Sequence, residues 1–150
     1  MRLKFYATVF GIPGELRPDR GPTARVCVRR GAFAELLASG ERPPLNVNHD
    51  SRWPLAVSRM ALWEDAIGLG VLADVADDGN GRALASALLA GRCRGASIWW
   101  GSDAVTETRC DPAHGWLYEL VQVRRLLDIC LVIDRPAGIP ATARYVEAWR

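Results

Sequence analysis

The chain is short of several things, and each shortage removes a class of protein. It has almost no excess charge: 19 basic and 17 acidic residues leave +2 at neutral pH, which is not the electrostatic footprint that nucleic-acid binding usually leaves. It has no apolar run near the roughly 20 residues that span a bilayer. Met1-Arg2-Leu3-Lys4 leads into an alternating pattern instead of a signal-peptide core. Its four cysteines, Cys27, Cys93, Cys110 and Cys130, are scattered without a Cys-x-x-Cys pair, which argues against a zinc site and for reduced, mostly buried thiols. The expectation is a soluble protein of a reducing cytoplasm, with no cofactor and neither nucleic acid nor membrane as a partner.

What is present is ordinary globular composition, 49% apolar and 24% charged over 150 residues, enough for one domain with a single core. Leu3 to Val9 alternates apolar and polar residues, the mark of a strand with one buried face. Gly11 to Pro22 carries the breakers Pro13, Gly14, Pro18, Gly21 and Pro22 and reads as a loop. Ala24 to Val28 reads as a strand, and the stretch from Gly31 to Gly40 as a helix closed by glycine. Leu45 to Asp50 reads as a strand with Leu45, Val47 and His49 on one face and Asn46, Asn48 and Asp50 on the other. Leu55 to Glu64 and Ile67 to Val75 form a predicted hairpin in which Gly68 and Gly70 admit a bend or a close neighbour. Arg82 to Ala90 reads as a second helix.

Ala96 to Val105 then reads as one strand, joined by the turn at Asp111-Pro112-Ala113-His114-Gly115 to Leu117 to Val123. His114 is expected to be a surface turn residue. Leu126 to Ile133 is apolar on both faces and belongs near the centre of the fold, which buries Asp128. Ala141 to Arg150 is either a short strand or a helical turn. Arg29-Arg30 and Arg124-Arg125 read as solvated positions at element ends. Seven or eight strands with two helices make a β-rich domain with a curled or closed sheet.

Three stretches carry candidate chemistry: Asn46-Val47-Asn48-His49-Asp50, Arg94-Gly95-Ala96-Ser97-Ile98-Trp99-Trp100, and Leu127-Asp128-Ile129-Cys130-Leu131-Val132. Nucleophilic acyl transfer needs a nucleophile, a base and a group that holds the base in its working tautomer. Ser97, His49 and either Asp128 or Asp50 are the residue types for those roles. The Gly-x-Ser-x-Gly elbow is absent.

These residues resemble the prohead (procapsid maturation) serine proteases of tailed bacteriophages, distant relatives of the herpesvirus assembly proteases. The resemblance runs from Gly31-Ala32-Phe33 through Asn48-His49-Asp50, Pro54-Leu55, Gly68-Leu69 and Gly95-Ala96-Ser97-Ile98. It ends at Leu127-Asp128-Ile129-Cys130-Leu131-Val132 with Pro136-Ala137 beyond. It implies a mainly β fold with flanking helices, a curled or closed β-barrel of the herpesvirus-protease kind. It also implies Ser97 as nucleophile, His49 as general base and Asp128 at the position of the third, acidic member, commonly glutamate in the family. An aspartate there sets the carboxylate back by roughly 1.5 Å, and misplacements near 1 Å can cost about a hundredfold in rate.

By the same resemblance the function is a serine endopeptidase of phage head maturation. Its partners would be the major capsid protein with its scaffolding segment, and further copies of itself through autocleavage in a homo-oligomer. The place of action would be inside the procapsid in the host bacterial cytoplasm. The chain departs from the pattern at Trp99, where the family has glycine, and also at Trp100, Ala56 and Cys130. Trp99 shares the face of Ser97 by strand alternation, and there it either lines a substrate subsite or obstructs the cleft. The alternative is a catalytically inactive capsid-assembly or scaffold-binding module.

Overall fold

A computed structural model describes residues 1–16, 24–113, 115–134 and 147–149. Strand β1 (Arg2–Val9) follows its alternation, with Leu3, Phe5, Ala7 and Val9 buried. It pairs antiparallel with β7 (Gly68–Val75), which pairs with β6 (Val57–Glu64) as the predicted hairpin. Asp65 pins the hairpin turn by accepting from the Ile67 and Gly68 backbone N–H groups. The close neighbours expected at the two glycines are there. A Cβ at Gly68 would lie 2.0 Å from the Thr8 carbonyl oxygen, and one at Gly70 would lie 2.1 Å from the Trp63 indole. A short strand β12 (Glu147–Trp149) adds to the other edge of β1, so this part of the C-terminal stretch is strand and not helical turn. His114, Pro136 to Pro140 and the remainder of Ala141 to Arg150 lie outside the described residues.

The second sheet has the order β2-β3-β10-β9. It corrects two expectations. The breaker-rich segment after Gly11 contains a three-residue strand, β2 (Gly14–Leu16), held by β3 (Ala24–Val28). The stretch expected as one strand from Ala96 to Val105 is two, because the chain turns at Gly101 to Ala104, closed by an Ala104 N–H to Gly101 carbonyl hydrogen bond of 3.2 Å. The turn at Asp111 to Gly115 therefore joins β9 (Val105–Asp111) to β10 (Gly115–Gln122). Arg29 and Arg124 are exposed, as expected, and bind Glu107 and Glu35 respectively.

The third sheet holds the candidate site, in the order β5 (Asp50–Leu55), β4, β11, β8. Strand β11 (Leu126–Ile133) is an inner strand, as its doubly apolar pattern requires, parallel to β4 (Leu45–Val47) and antiparallel to β8 (Cys93–Trp100). Helix α1 (Ala34–Ser39) leads toward β4 and ends on Gly40, whose φ of 71° is the left-handed conformation that glycine adopts without strain. Helix α2 (Gly79–Leu89) leads toward β8, and the Asp78 carboxylate caps it by accepting from the Gly81 N–H.

The fold is mainly β with two helices, as expected, and Leu3, Phe5, Phe33, Leu36, Leu84, Ile129 and Leu131 share one buried cluster. Among the described residues there are twelve strands, more than the seven or eight expected, because short strands form in stretches read as loop or connection and the chain reverses at Gly101 to Ala104 into a further strand. Their hydrogen bonds form three four-stranded sheets and no closed barrel.

Candidate active site

Strand β11 divides the chemistry from the core. Its residues Ile129 and Leu131 lie opposite Leu45 and Val47 of β4 and opposite Ile98 and Ala96 of β8, and all six are buried. Alternation puts the intervening residues on the other face: Asp128 and Cys130 of β11, Asn46 of β4, and Ser97 and Trp99 of β8. Register makes these neighbours, with Cys130 opposite both Asn46 and Ser97, and Asp128 opposite Trp99.

A regular continuation of β4 would have turned His49 to the core face with Leu45 and Val47. Instead the strand ends at Val47. Asn48 and His49 take φ values of 58° and 56°, and Asp50 pairs back with Val47 to begin β5 (Asp50–Leu55). Two consecutive positive φ values in a two-residue hairpin loop are what a type I′ turn requires. The expectation that His49 sits on the end of the strand is corrected here: the strand stops at Val47 and His49 lies in the turn beyond it. The sequence hid the turn because Asn-His replaces the usual Asn-Gly, although Asn and His are among the side chains that tolerate this region best. Asn48 anchors the turn to β11: its N–H donates to the Leu131 carbonyl and its Oδ1 accepts from the Ile133 N–H, both at 2.9 Å.

The turn brings His49 to Asp128. Imidazole Nδ1 and carboxylate Oδ1 are 2.6 Å apart, and the side chains retain 24% and 15% exposure. The other carboxylate oxygen accepts from Asn46 Nδ2 at 3.0 Å. Asp50, the second candidate to hold the ring, binds the Arg52 guanidinium and N–H with its carboxylate.

Ser97 is 8% exposed and sits on β8 immediately before Trp99 in the alternation. The bulge between Gly95 and Cys93 opposite β11 uses a φ of 149° at Gly95, a conformation open to glycine. Trp99 is 53% exposed, and its indole meets the His49 ring edge-on, with centroids 5.7 Å apart and planes at 82°. Among the described residues, no hydrogen bond joins His49 to Ser97. Catalytic hydrogen bonds of free enzymes often tighten only when substrate is bound.

Comparison with known proteins adds one decisive finding: the family described as caudovirus prohead serine protease matches residues 1–148. The chain belongs to that family. No curated protein and no solved structure matches it. At the level of the prohead protease family the chemistry is that of a serine peptidase and the setting is bacteriophage capsid maturation, among capsid and scaffold proteins.

Two residues of this candidate site are not singled out by the sequence. Asn46 and Asn48 were placed on a strand face without a role, yet one holds Asp128 and the other holds the turn that carries His49. An asparagine at a strand position facing a central acidic strand is the signal that could have found the first. Among the described residues there is no cluster of three or more His, Cys, Asp or Glu able to hold a metal ion, and no helix is long and apolar enough to cross a membrane.

Proposed function

We propose that residues 1–150 form a single prohead-protease-like domain acting as a serine endopeptidase, with Ser97 as nucleophile, His49 as general base and Asp128 as the residue that orients it. The observation that carries this reading is the 2.6 Å bond between His49 Nδ1 and Asp128, on a face whose adjoining strand presents Ser97. Engaging Nδ1 leaves Nε2 as the nitrogen that exchanges protons, the division of labour that acyl transfer needs.

The steps follow from that arrangement. Ser97 Oγ attacks a peptide carbonyl while its proton passes to His49 Nε2. Asp128 stabilises the imidazolium, and backbone N–H groups near Ser97 hold the oxyanion. Collapse breaks the C–N bond as Nε2–H protonates the leaving amine. Water gives a proton to the same nitrogen as it attacks the acyl-enzyme carbonyl; the C–Oγ bond then breaks, releasing the new C-terminal carboxyl product, and His49 Nε2–H returns the proton to Ser97 Oγ. Positioned acid–base action of this kind contributes about 10²–10⁴ in rate.

The proposed substrates are the major capsid protein with its scaffolding segment and the protease itself, in a homo-oligomer inside the procapsid in the host cytoplasm. A herpesvirus-protease-like arrangement is proposed with it, supported by β1 of the first sheet lying alongside β8, the edge strand of the third. The test is co-expression with the capsid protein and intact-mass analysis. Defined truncation by the wild type and none by Ser97→Ala is expected, and identical processing by the variant would remove Ser97 from the mechanism. A catalytically inactive assembly module is the second reading, favoured by the low exposure of Ser97 beside a half-exposed Trp99.

A further inference from the structure

Asn46 is 7% exposed and presents an anomaly. Its Nδ2 donates to Asp128 Oδ2 at 3.0 Å, while its Oδ1 is buried with no hydrogen-bond partner among the described residues. The amide has no better orientation, because turning it would set its oxygen against the carboxylate. A buried acceptor left unpaired forfeits its bond to water without replacement, and native interiors keep few such groups. An apolar side chain would fill this strand position between Pro44 and Val47 without that cost. What the asparagine supplies is the bond to Asp128.

We propose that Asn46 is a positioning residue of the site, acting through Asp128 to fix the plane in which the carboxylate meets His49. A carboxylate held by one oxygen swivels about its Cβ–Cγ bond. Held by Oδ1 on the imidazole and by Oδ2 on an amide from the neighbouring parallel strand, it has one orientation. Because the amide is neutral, it orients the carboxylate without pairing its charge, and that charge stays directed at the ring. A lysine or arginine here would orient Asp128 and neutralise it together. The short reach of the aspartate makes this anchoring matter, since small misplacements of a catalytic chain cost large factors in rate.

The proposal rests on the reading of His49 and Asp128 above, and its test separates the two. Asn46→Leu removes donor and orphan oxygen together, and Asn46→Asp keeps the size but, ionised, has no donor. The low-field proton resonance of His49 Nδ1–H, assigned by its disappearance in His49→Gln, reports the bond to Asp128 directly. Labelling of Ser97 in the intact chain by a fluorophosphonate reports its reactivity. In both variants the resonance is expected to shift or broaden away and the maximal labelling rate to fall by about tenfold to a hundredfold. Half-saturating probe concentration should stay unchanged, and Asn46→Leu should melt no lower than the wild type, a combination that a merely structural residue would not give. An unaltered resonance in both variants overturns the proposal. A displaced resonance alongside a Ser97 that no probe labels in the wild type supports the positioning role and removes the nucleophile instead.

Discussion

The Trp99 indole stands edge-on to the His49 imidazole, ring centroids 5.7 Å apart and planes at 82°. Trp99, one of the positions at which the sequence departs from the family resemblance, therefore stands against the proposed base. An edge-to-face aromatic pair contributes about 0.5–1.5 kcal/mol beyond its buried area, which corresponds to roughly twofold to twelvefold in a rate that depends on ring orientation.

Trp99→Ala is accordingly expected to slow fluorophosphonate labelling of Ser97 by that factor, and Trp99→Phe, which keeps an aromatic edge, to leave it nearly unchanged. Rates for the two variants and the wild type decide it. Faster labelling of Trp99→Ala would mean that the indole obstructs the cleft.

The turn makes a second prediction. Asn48 combines a φ of 58° with a bond from its Oδ1 to the Ile133 N–H. Asn48→Gly loses the bond but suits the left-handed backbone, whereas Asn48→Ala loses the bond and keeps a Cβ there without the polar side chain that lets asparagine tolerate that region, a cost of about 1 kcal/mol relative to glycine. Urea denaturation should rank wild type above Asn48→Gly and Asn48→Gly above Asn48→Ala.

These two residues also mark where sequence and structure part. The regular elements were legible because their periodicity is undisturbed: β1, the hairpin of β6 and β7, the helix closed by Gly40, and the inner strand around Asp128. The turn at Asn48-His49 was not, because alternation of Leu45, Val47 and His49 continues unbroken through a reversal with no glycine to mark it. The same holds at Gly101 to Ala104, where one apparent strand is two. The nearness of His49 and Asp128 depends on β4 lying parallel to β11, a pairing of residues 79 apart in the chain that no local pattern encodes. Asn46 was read as merely polar, since its value lies in that same pairing.

Acid should weaken the hairpin in a defined way. The Tyr6 hydroxyl, donating to Asp65 at 2.6 Å, is the chief cause holding that carboxyl below its ordinary range, with help from the Ile67 N–H and the Trp63 indole. The folded value lies below the unfolded one, so the stabilisation is present above the unfolded value of about 3.9. It is lost as the pH falls through the folded value. Tyr6→Phe should be less stable near neutrality by about 1 kcal/mol, allowing for partial solvent screening. Denaturation midpoints of the two proteins should converge as the solution is acidified below that range.

The cysteines should react in order of exposure. Cys110 is exposed, whereas Cys27 and Cys130 are fully buried, and burial is the chief cause raising the Cys27 thiol above its ordinary range. Because the thiolate is the reactive form, a disulfide-exchange reagent should modify Cys110 first. Cys27 and Cys130 should remain protected until the chain unfolds, as peptide mass mapping would show.

The central claim is that Ser97 is a nucleophile activated by His49. Fluorophosphonate labelling of the intact chain, with the modified residue located by peptide mass, tests it most directly. The predicted result is a single adduct on Ser97 whose formation slows by about a hundredfold or more in His49→Gln. An unmodified Ser97, or one labelled equally fast without His49, would contradict it.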